Sequence, residues 1–337
     1  MKTSAKRHHF VAQFEQRESD PATLCSARQA TIFEYAIADR DNYELGEPVL
    51  RVVRKNLATP HLYRIGTVDG TDREYYALEP MFNRYETEGA AARERFLAAV
   101  EDRATPSWPD VRSIVRLQFL NAFRNPYCIK RTLNTIGNMA NVVPNTEDGK
   151  RYASMIDRLS EAHVERVCAK YGISEMEYRA WLRALYSALF DRRVFSDYEV
   201  VEERYNVFDE TIDLVLLRKN CAYVFQVNVT ENQDLGEFLL SDRGPVIRQT
   251  PEGAIEARIR LRPNVSLLVI SAPLGFLAET ERTHPELHAN YHQNREVRGS
   301  IKIDQPGWVG RFNRWCVDFS FKHVYCSDRS VSFDDSE

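Results

Sequence analysis

Hydrophobic and polar positions change rhythm twice along the chain. Over residues 6–68 the apolar positions alternate. Phe10, Ala12 and Phe14 stand between more polar neighbours, which is the period-2 signature of a half-buried strand. The same pattern predicts strands at 31–36, 49–53 and 62–65, with Gly46, Pro48, Asp69 and Gly70 supplying turn chemistry. From 74 to about 190 the rhythm is helical. Residues 85–100 place Phe96, Leu97 and Val100 on one face, and 110–133 align Ile114, Leu117, Phe119, Leu120 and Phe123 at near-3.6 spacing. Pro109 suits a first helical turn, and Asp110 suits the positive end of the helix dipole.

Two further helices are predicted at 150–171 and 174–190. Gly172 is a candidate for the residue just past a helix end, and Ser174 with Glu177 forms a capping-box pattern. From 196 the chain reads as β again, with strands at 198–207, 214–217, 223–229, 238–240, 265–270 and 316–326 and a helical insertion at 285–295. Strands on both sides of a helical middle predict an α+β fold. Its N- and C-terminal segments then build a mixed or antiparallel sheet around a central helical region. The expected organisation is a single domain over 1–330, with a flexible tail at 327–337.

Composition removes several function classes. At 337 residues with 43% hydrophobic content the chain has ample material for a core, unlike a disulfide-stapled module or a disordered segment. The net charge of −4, from 45 basic and 49 acidic residues, excludes a globally basic nucleic-acid coat but leaves room for a local basic groove. The six cysteines form no Cys-x-x-Cys pair, so no zinc ribbon or thioredoxin-type motif is expected. The basic N-terminus has no apolar stretch behind it and the longest apolar runs are too short to cross a bilayer. A cytoplasmic protein without membrane association is the expectation. No phosphate loop, dinucleotide fingerprint or kinase motif is present, so no nucleotide cofactor is indicated.

Several separated motifs carry candidate chemistry. Lys6, Arg7, His8, His9, Phe10, Val11, Ala12 and Gln13 open the chain; Glu79 and Glu88 follow, then Arg124, Asn125 and Pro126. Ser241, Asp242 and Pro245 come after an apolar run, and Ser271, Pro273, Asn313, Val324 and Tyr325 close the series. In this order over 6–326 the chain resembles the bacterial domain of unknown function 4238 family, whose opening motif is a basic residue, paired histidines, an aromatic and Val-Pro-Gln. Ala12 stands where the family has proline. The resemblance singles out His8, His9, Gln13, Arg124, Ser241 and Asp242, but it implies no activity.

Each motif has a chemical and a bland reading. On a strand, His8 and His9 point to opposite faces, while His9, Val11 and Gln13 share one. A histidine there is a candidate general acid or base, or a phosphate contact beside Lys6; otherwise it is a packed residue bonded to backbone. Arg112, Arg116 and Arg124 fall on a similar helix side, either as a phosphate-reading stripe or as partners for carboxylates. Ser241 and Asp242 end a strand at a turn, which suits either metal or proton chemistry or an Asx-type turn.

Asp213 followed by Gln226 and Asn228 imitates a restriction-nuclease pattern that would use a divalent metal, with Asn228 where that chemistry needs a lysine. His284, His288 and His292, at four-residue spacing, read as a polar surface helix before a metal site.

The first functional expectation is therefore a nucleic-acid-cleaving defence or toxin effector. His8, His9, Gln13 and Asp242 would perform the chemistry, and Lys6, Arg116, Arg124 and Ser241 would hold the substrate. A non-catalytic binding or regulatory protein, whose polar cluster is structural, is the second. A magnesium-dependent nuclease using Asp213 is the third.

Overall fold

The computed structural model describes residues 7–11, 15–16, 30–65, 76–144, 147–190, 208–209, 212, 221–251, 253–273, 298–329 and 331–333. Strands come first: β1 (Arg7–His9), β2 (Thr31–Asp39), β3 (Glu44–Leu45), β4 (Val49–Val52), β5 (Ala58–Pro60), β6 (Arg64–Ile65) and β7 (Tyr76–Ala77). Among the described residues six α-helices form the middle: α1 (Glu79–Glu101), α2 (Trp108–Arg124), α3 (Ile129–Ile136), α4 (Glu147–Asp157), α5 (Glu161–Tyr171) and α6 (Glu175–Phe190). The C-terminal part holds β8 (Cys221–Val229), β9 (Leu240–Ser241), β10 (Val246–Gln249), β11 (Ile255–Arg262), β12 (Val265–Pro273) and β13 (Arg298–Ile303). It closes with α7 (Trp308–Phe319) and β14 (His323–Cys326).

The chain is α+β, and its two ends share a sheet. In the order β3-β2-β14-β9, with β4 also on β2, strand β2 pairs antiparallel with β14, Tyr35 opposite Val324. The second sheet runs β10-β11-β12-β8-β13. It is antiparallel except for β13, which runs parallel to β8. Short ladders join β1 to β5 and β6 to β7. One apolar cluster gathers α1–α6 against β8, β11 and β12, from Phe10 to Tyr325. A second lies under α7, where Trp308, Phe312 and Cys316 meet Phe238, Leu268 and Val324.

Local signals explain most boundaries. Ser107 caps α2, accepting from the Asp110 N–H at 3.3 Å, with Pro109 in the first turn. The capping box before α6 is reciprocal: the Ser174 N–H donates to Glu177 at 2.7 Å and the Glu177 N–H to Ser174 Oγ at 3.2 Å. Gly172 ends α5 at φ +64°, a left-handed conformation that glycine adopts without strain.

Three expectations are corrected. The helix predicted over 110–133 breaks after Arg124, because Pro126 offers no N–H and pushes Asn125 to an extended backbone at ψ 122°. Trp181 Nε1 and Tyr63 Oη then donate to the freed, buried carbonyls of Phe123 and Arg124, at 2.7 and 2.5 Å. The helix predicted over 150–171 is two helices, since Ser160 caps a new start at Glu161 by accepting the His163 N–H. The strand predicted over 316–326 is the end of α7 followed by β14. Trp308, Phe312 and Cys316 recur every four residues, a helical spacing that faces the second core. The segments 198–207, 214–217 and 285–295, with Lys6, Gln13, Asp213, His284, His288 and His292, lie outside the described residues.

Candidate functional site

Helix α2 is buried on nearly every side, yet it carries Gln118, Asn121 and Arg124 at three-residue spacing. Buried amides and guanidinium groups need partners, and the N-terminal segment supplies one. Gln118 Nε2 and Asn121 Nδ2 both donate to Glu15 Oε1, at 2.9 and 3.0 Å. Arg124, only 1% exposed, donates to Asn121 Oδ1 at 2.7 Å, pairs with Glu86 Oε1 at 2.6 Å and lies over the Phe82 ring. Burial pushes the Glu15 carboxyl up to about 7, against the lowering pull of Arg93, Arg124 and the two amide donors. Earlier in α2, Arg116 faces Asp209 at 3.9 Å, and Arg84 reaches the same carboxylate at 2.7 Å.

Asp242 is buried at the turn after β9. Its carboxylate accepts the N–H groups of Phe321 at 2.7 Å, Lys322 at 2.7 Å and His323 at 3.0 Å. Burial raises its carboxyl above the usual range, and the three amides oppose that rise. Asn125, next to Arg124, donates to the Asp242 carbonyl at 2.8 Å. Ser320 Oγ lies 2.8 Å from Ser241 Oγ, which also accepts the Arg243 N–H at 3.0 Å. The Ser-Asp turn thereby fixes the backbone entering β14.

That backbone walls an open cavity of about 390 Å³ between β4, the 53–58 loop, α5 and β14. Its cationic lining is Arg51, Lys55 and Lys170, joined by His323, with Phe10, Tyr127 and Tyr325 as aromatic walls. Glu34 answers Arg51 at 2.7 Å and accepts from Tyr325 Oη at 3.2 Å. This leaves Lys55 and Lys170 as the uncompensated cations of the lining among the described residues. Lys170 donates to Thr59 Oγ1 at 2.8 Å, and burial lowers its ammonium below the usual range. Burial also raises the Tyr127 phenol to about 12, and the nearby carboxylates of Asp242 and Glu34 add to the rise.

Asn56 is 8% exposed, lines the cavity and leaves its Nδ2 without a hydrogen-bond partner. A buried donor left unmatched costs free energy, and a ligand oxygen would satisfy it. The adjoining Leu57 has φ +45°, a conformation disfavoured for a branched side chain. Such strain is held by surrounding structure and tends to cluster at ligand sites; here the Phe10 N–H donates to the Leu57 carbonyl at 3.2 Å.

Thus three of the motif segments do meet. Phe10, Tyr127 and Tyr325 come from the opening motif, the stretch after Arg124-Asn125-Pro126 and the closing strand, and all three line the cavity. Tyr127 stacks on Phe321 at 5.3 Å and meets Phe10 edge-on at 5.7 Å. In β1, His8 pairs with Thr59 and His9 with Ala58, so the histidine strand borders the cavity through β5. The ladder ends at His9; Phe10 and Val11 bend away, both buried, so the strand face expected through Val11 is not continued as ladder.

Arg124, Arg116, Ser241 and Asp242 are all bonded inside the protein, and none of them lines the cavity. Gln226 donates to Asn228 Oδ1 at 2.6 Å and to Gln305 at 3.2 Å. Among the described residues no group of three or more His, Cys, Asp or Glu is placed to hold a metal ion, and no helix is long and apolar enough to cross a membrane.

Glu15, Glu86, Asn56, Lys170 and His323 were not singled out by the sequence. Gln118 and Asn121 left a signal, as polar residues three apart in an otherwise apolar helix; Lys170 and His323 left none. A family model described as "Protein of unknown function (DUF4238)" matches residues 7–330. No curated protein and no solved structure matches the chain.

Proposed function

We propose, for a chain that belongs to the DUF4238 family, that the cavity beside the histidine strand binds the sugar–phosphate backbone of a nucleic acid and cleaves a phosphodiester there. One observation carries the reading. Lys55, Lys170 and the unmatched Asn56 amide converge on a cavity of about 390 Å³ with aromatic walls, within the roughly 300–1,000 Å³ range of small-ligand sites. Two lysines give charge for a phosphate, the amide gives a fixed donor, and the exposed part of Tyr127 gives a surface for a base. His323 supplies an imidazole that can take the proton of the attacking hydroxyl, a ribose 2′-OH or a water, as its oxygen bonds to phosphorus, and return it to the 5′-oxygen that leaves. Its backbone is locked by Asp242, which makes Asp242 a positioning residue in this reading. The biological setting that suits such an activity is a defence or toxin effector.

The test is cleavage of end-labelled single-stranded RNA and DNA by the wild-type protein and by His323→Ala, each checked for native circular dichroism. Cleavage by the wild type, with at least a hundredfold loss and retained binding in the variant, is expected. A non-catalytic binding protein is the second reading, favoured by the internal bonding of Arg124, Ser241 and Asp242. It predicts binding by both proteins and cleavage by neither. Absence of binding would end both.

A further inference from the structure

A second, far smaller cavity of about 10 Å³ lies where the N-terminal segment, α2, the β9–β10 turn, β11 and α7 meet. Its polar lining is Glu15, Gln118, Ser241, Arg258 and Arg260. Its size matches a single water-sized occupant, which needs roughly 10–15 Å³ on this measure.

Arg258 dominates the chemistry. It is 6% exposed and donates through Nη2 to Glu256 at 2.8 Å, while Nε and Nη1 have no partner. Strand register explains why its charge is poorly matched. Val246 stands opposite Arg258 and Arg248 opposite Glu256, so Arg248 reaches the same carboxylate oxygen at 3.5 Å. Arg311 of α7 adds a third positive charge to this corner, and the Trp315 ring lies against the Arg258 guanidinium. Two guanidinium groups therefore share the Glu256 carboxylate, and the Arg311 charge acts on Arg258 as well.

The other lining charges are committed elsewhere. Arg260 Nε donates to the Phe238 carbonyl at 2.7 Å, and Glu15 is held by Gln118 and Asn121 while facing Arg93 and Arg124. A buried charge without its counter-ion is costly, and so is a buried donor without an acceptor.

We infer that this cavity is a site for one small monatomic anion of chloride size, held by Nε and Nη1 of Arg258. A water would satisfy the donors but leave the positive excess in place. A phosphate or sulfate is too large for the space. The bound anion joins β11 to the N-terminal segment that carries the opening motif. The depressed Arg258 guanidinium, at about 9, agrees with a positive charge that Glu256 counters only in part: burial lowers it first, and Arg248 and Arg311 add to that against the pull of Glu256.

Crystals of the full chain grown in sodium bromide test the inference, with data collected at the bromine edge. An anomalous peak in hydrogen-bond reach of Arg258 Nε and Nη1 is expected; a non-anomalous water there overturns it. In solution, urea unfolding is measured while chloride replaces sulfate at constant ionic strength. Each tenfold rise in chloride above its dissociation constant should raise the folding equilibrium constant up to tenfold, and Arg258→Met should abolish the dependence. Equal halide dependence in the variant, or none in the wild type, contradicts the site.

Discussion

Glu15 makes the most quantitative prediction about how the fold is held. Its carboxyl is fully enclosed and sits at about 7 rather than at the ordinary 4.5. Above pH 4.5 the unfolded chain loses this proton, while the folded chain keeps it until about pH 7. The folded state thus binds more protons in that window, and stability falls as pH rises through it, levelling off above. The gap corresponds to roughly 3 kcal/mol at about 1.36 kcal/mol per pH unit. Glu15→Gln keeps an acceptor for Gln118 and Asn121 but cannot ionise. Its stability relative to wild type should improve by about 3 kcal/mol between pH 4.5 and pH 8. Urea unfolding followed by tryptophan fluorescence at both pH values measures this, since Trp181 is in the same core. A difference between the two proteins that stays constant with pH would exclude a raised Glu15 pKa. It would mean that Arg93 and Arg124 compensate the buried charge fully. Glu15→Leu is the complementary case: it strands the Gln118 and Asn121 donors and should destabilise at every pH.

Three further outcomes follow from particular contacts. Asp242→Ala removes the acceptor of three backbone N–H groups and should cost roughly 3–5 kcal/mol in thermal or urea unfolding; a stable but inactive variant would instead make Asp242 a catalytic residue. Glu86→Ala leaves the Arg124 charge buried without its carboxylate and should cost about 3 kcal/mol, Glu86 being partly exposed. Adding Arg124→Met should return much of that loss, and strict additivity in the double-mutant cycle would deny the pairing. Gly89→Ala would place its Cβ 2.6 Å from Leu117 Cδ2, where α1 crosses α2; a cost of about 1–3 kcal/mol is expected, and an unchanged melting temperature would show that the helices separate freely.

Much of the fold was legible because local and tertiary demands agree. Ser174 with Glu177, Gly172 and Pro109 mark helix ends in the sequence and do so in the structure. The α+β class, with both chain ends in one sheet, followed from strand patterns flanking a helical middle. The misreadings came where a continuous apolar rhythm hid a backbone interruption. Ile129 keeps α2's periodicity across the Asn125–Pro126 break, and Cys316 and Val317 read as strand although they finish the buried face of α7.

The site was legible as segments more than as side chains. Sequence order cannot show that Arg124 is matched by Glu86 or that Asp242 is consumed by amides from residues 321–323, since both depend on long-range packing. Nor could it show that Lys170 of α5 reaches Thr59 opposite His8. Such pairings exist only once the helical middle folds back onto the N-terminal strands.

In the proposed function the cavity lined by Lys55, Asn56 and Lys170 takes up a nucleic-acid backbone. Fluorescence anisotropy of a short labelled single-stranded RNA, titrated at several salt concentrations with the wild type and with Lys55→Gln/Lys170→Met, tests it directly. Binding that weakens with salt is expected in the wild type, and in the variant at least tenfold weaker binding with a salt slope shallower by about one to two. Identical affinities and salt slopes in the two proteins, with native circular dichroism in both, would contradict it.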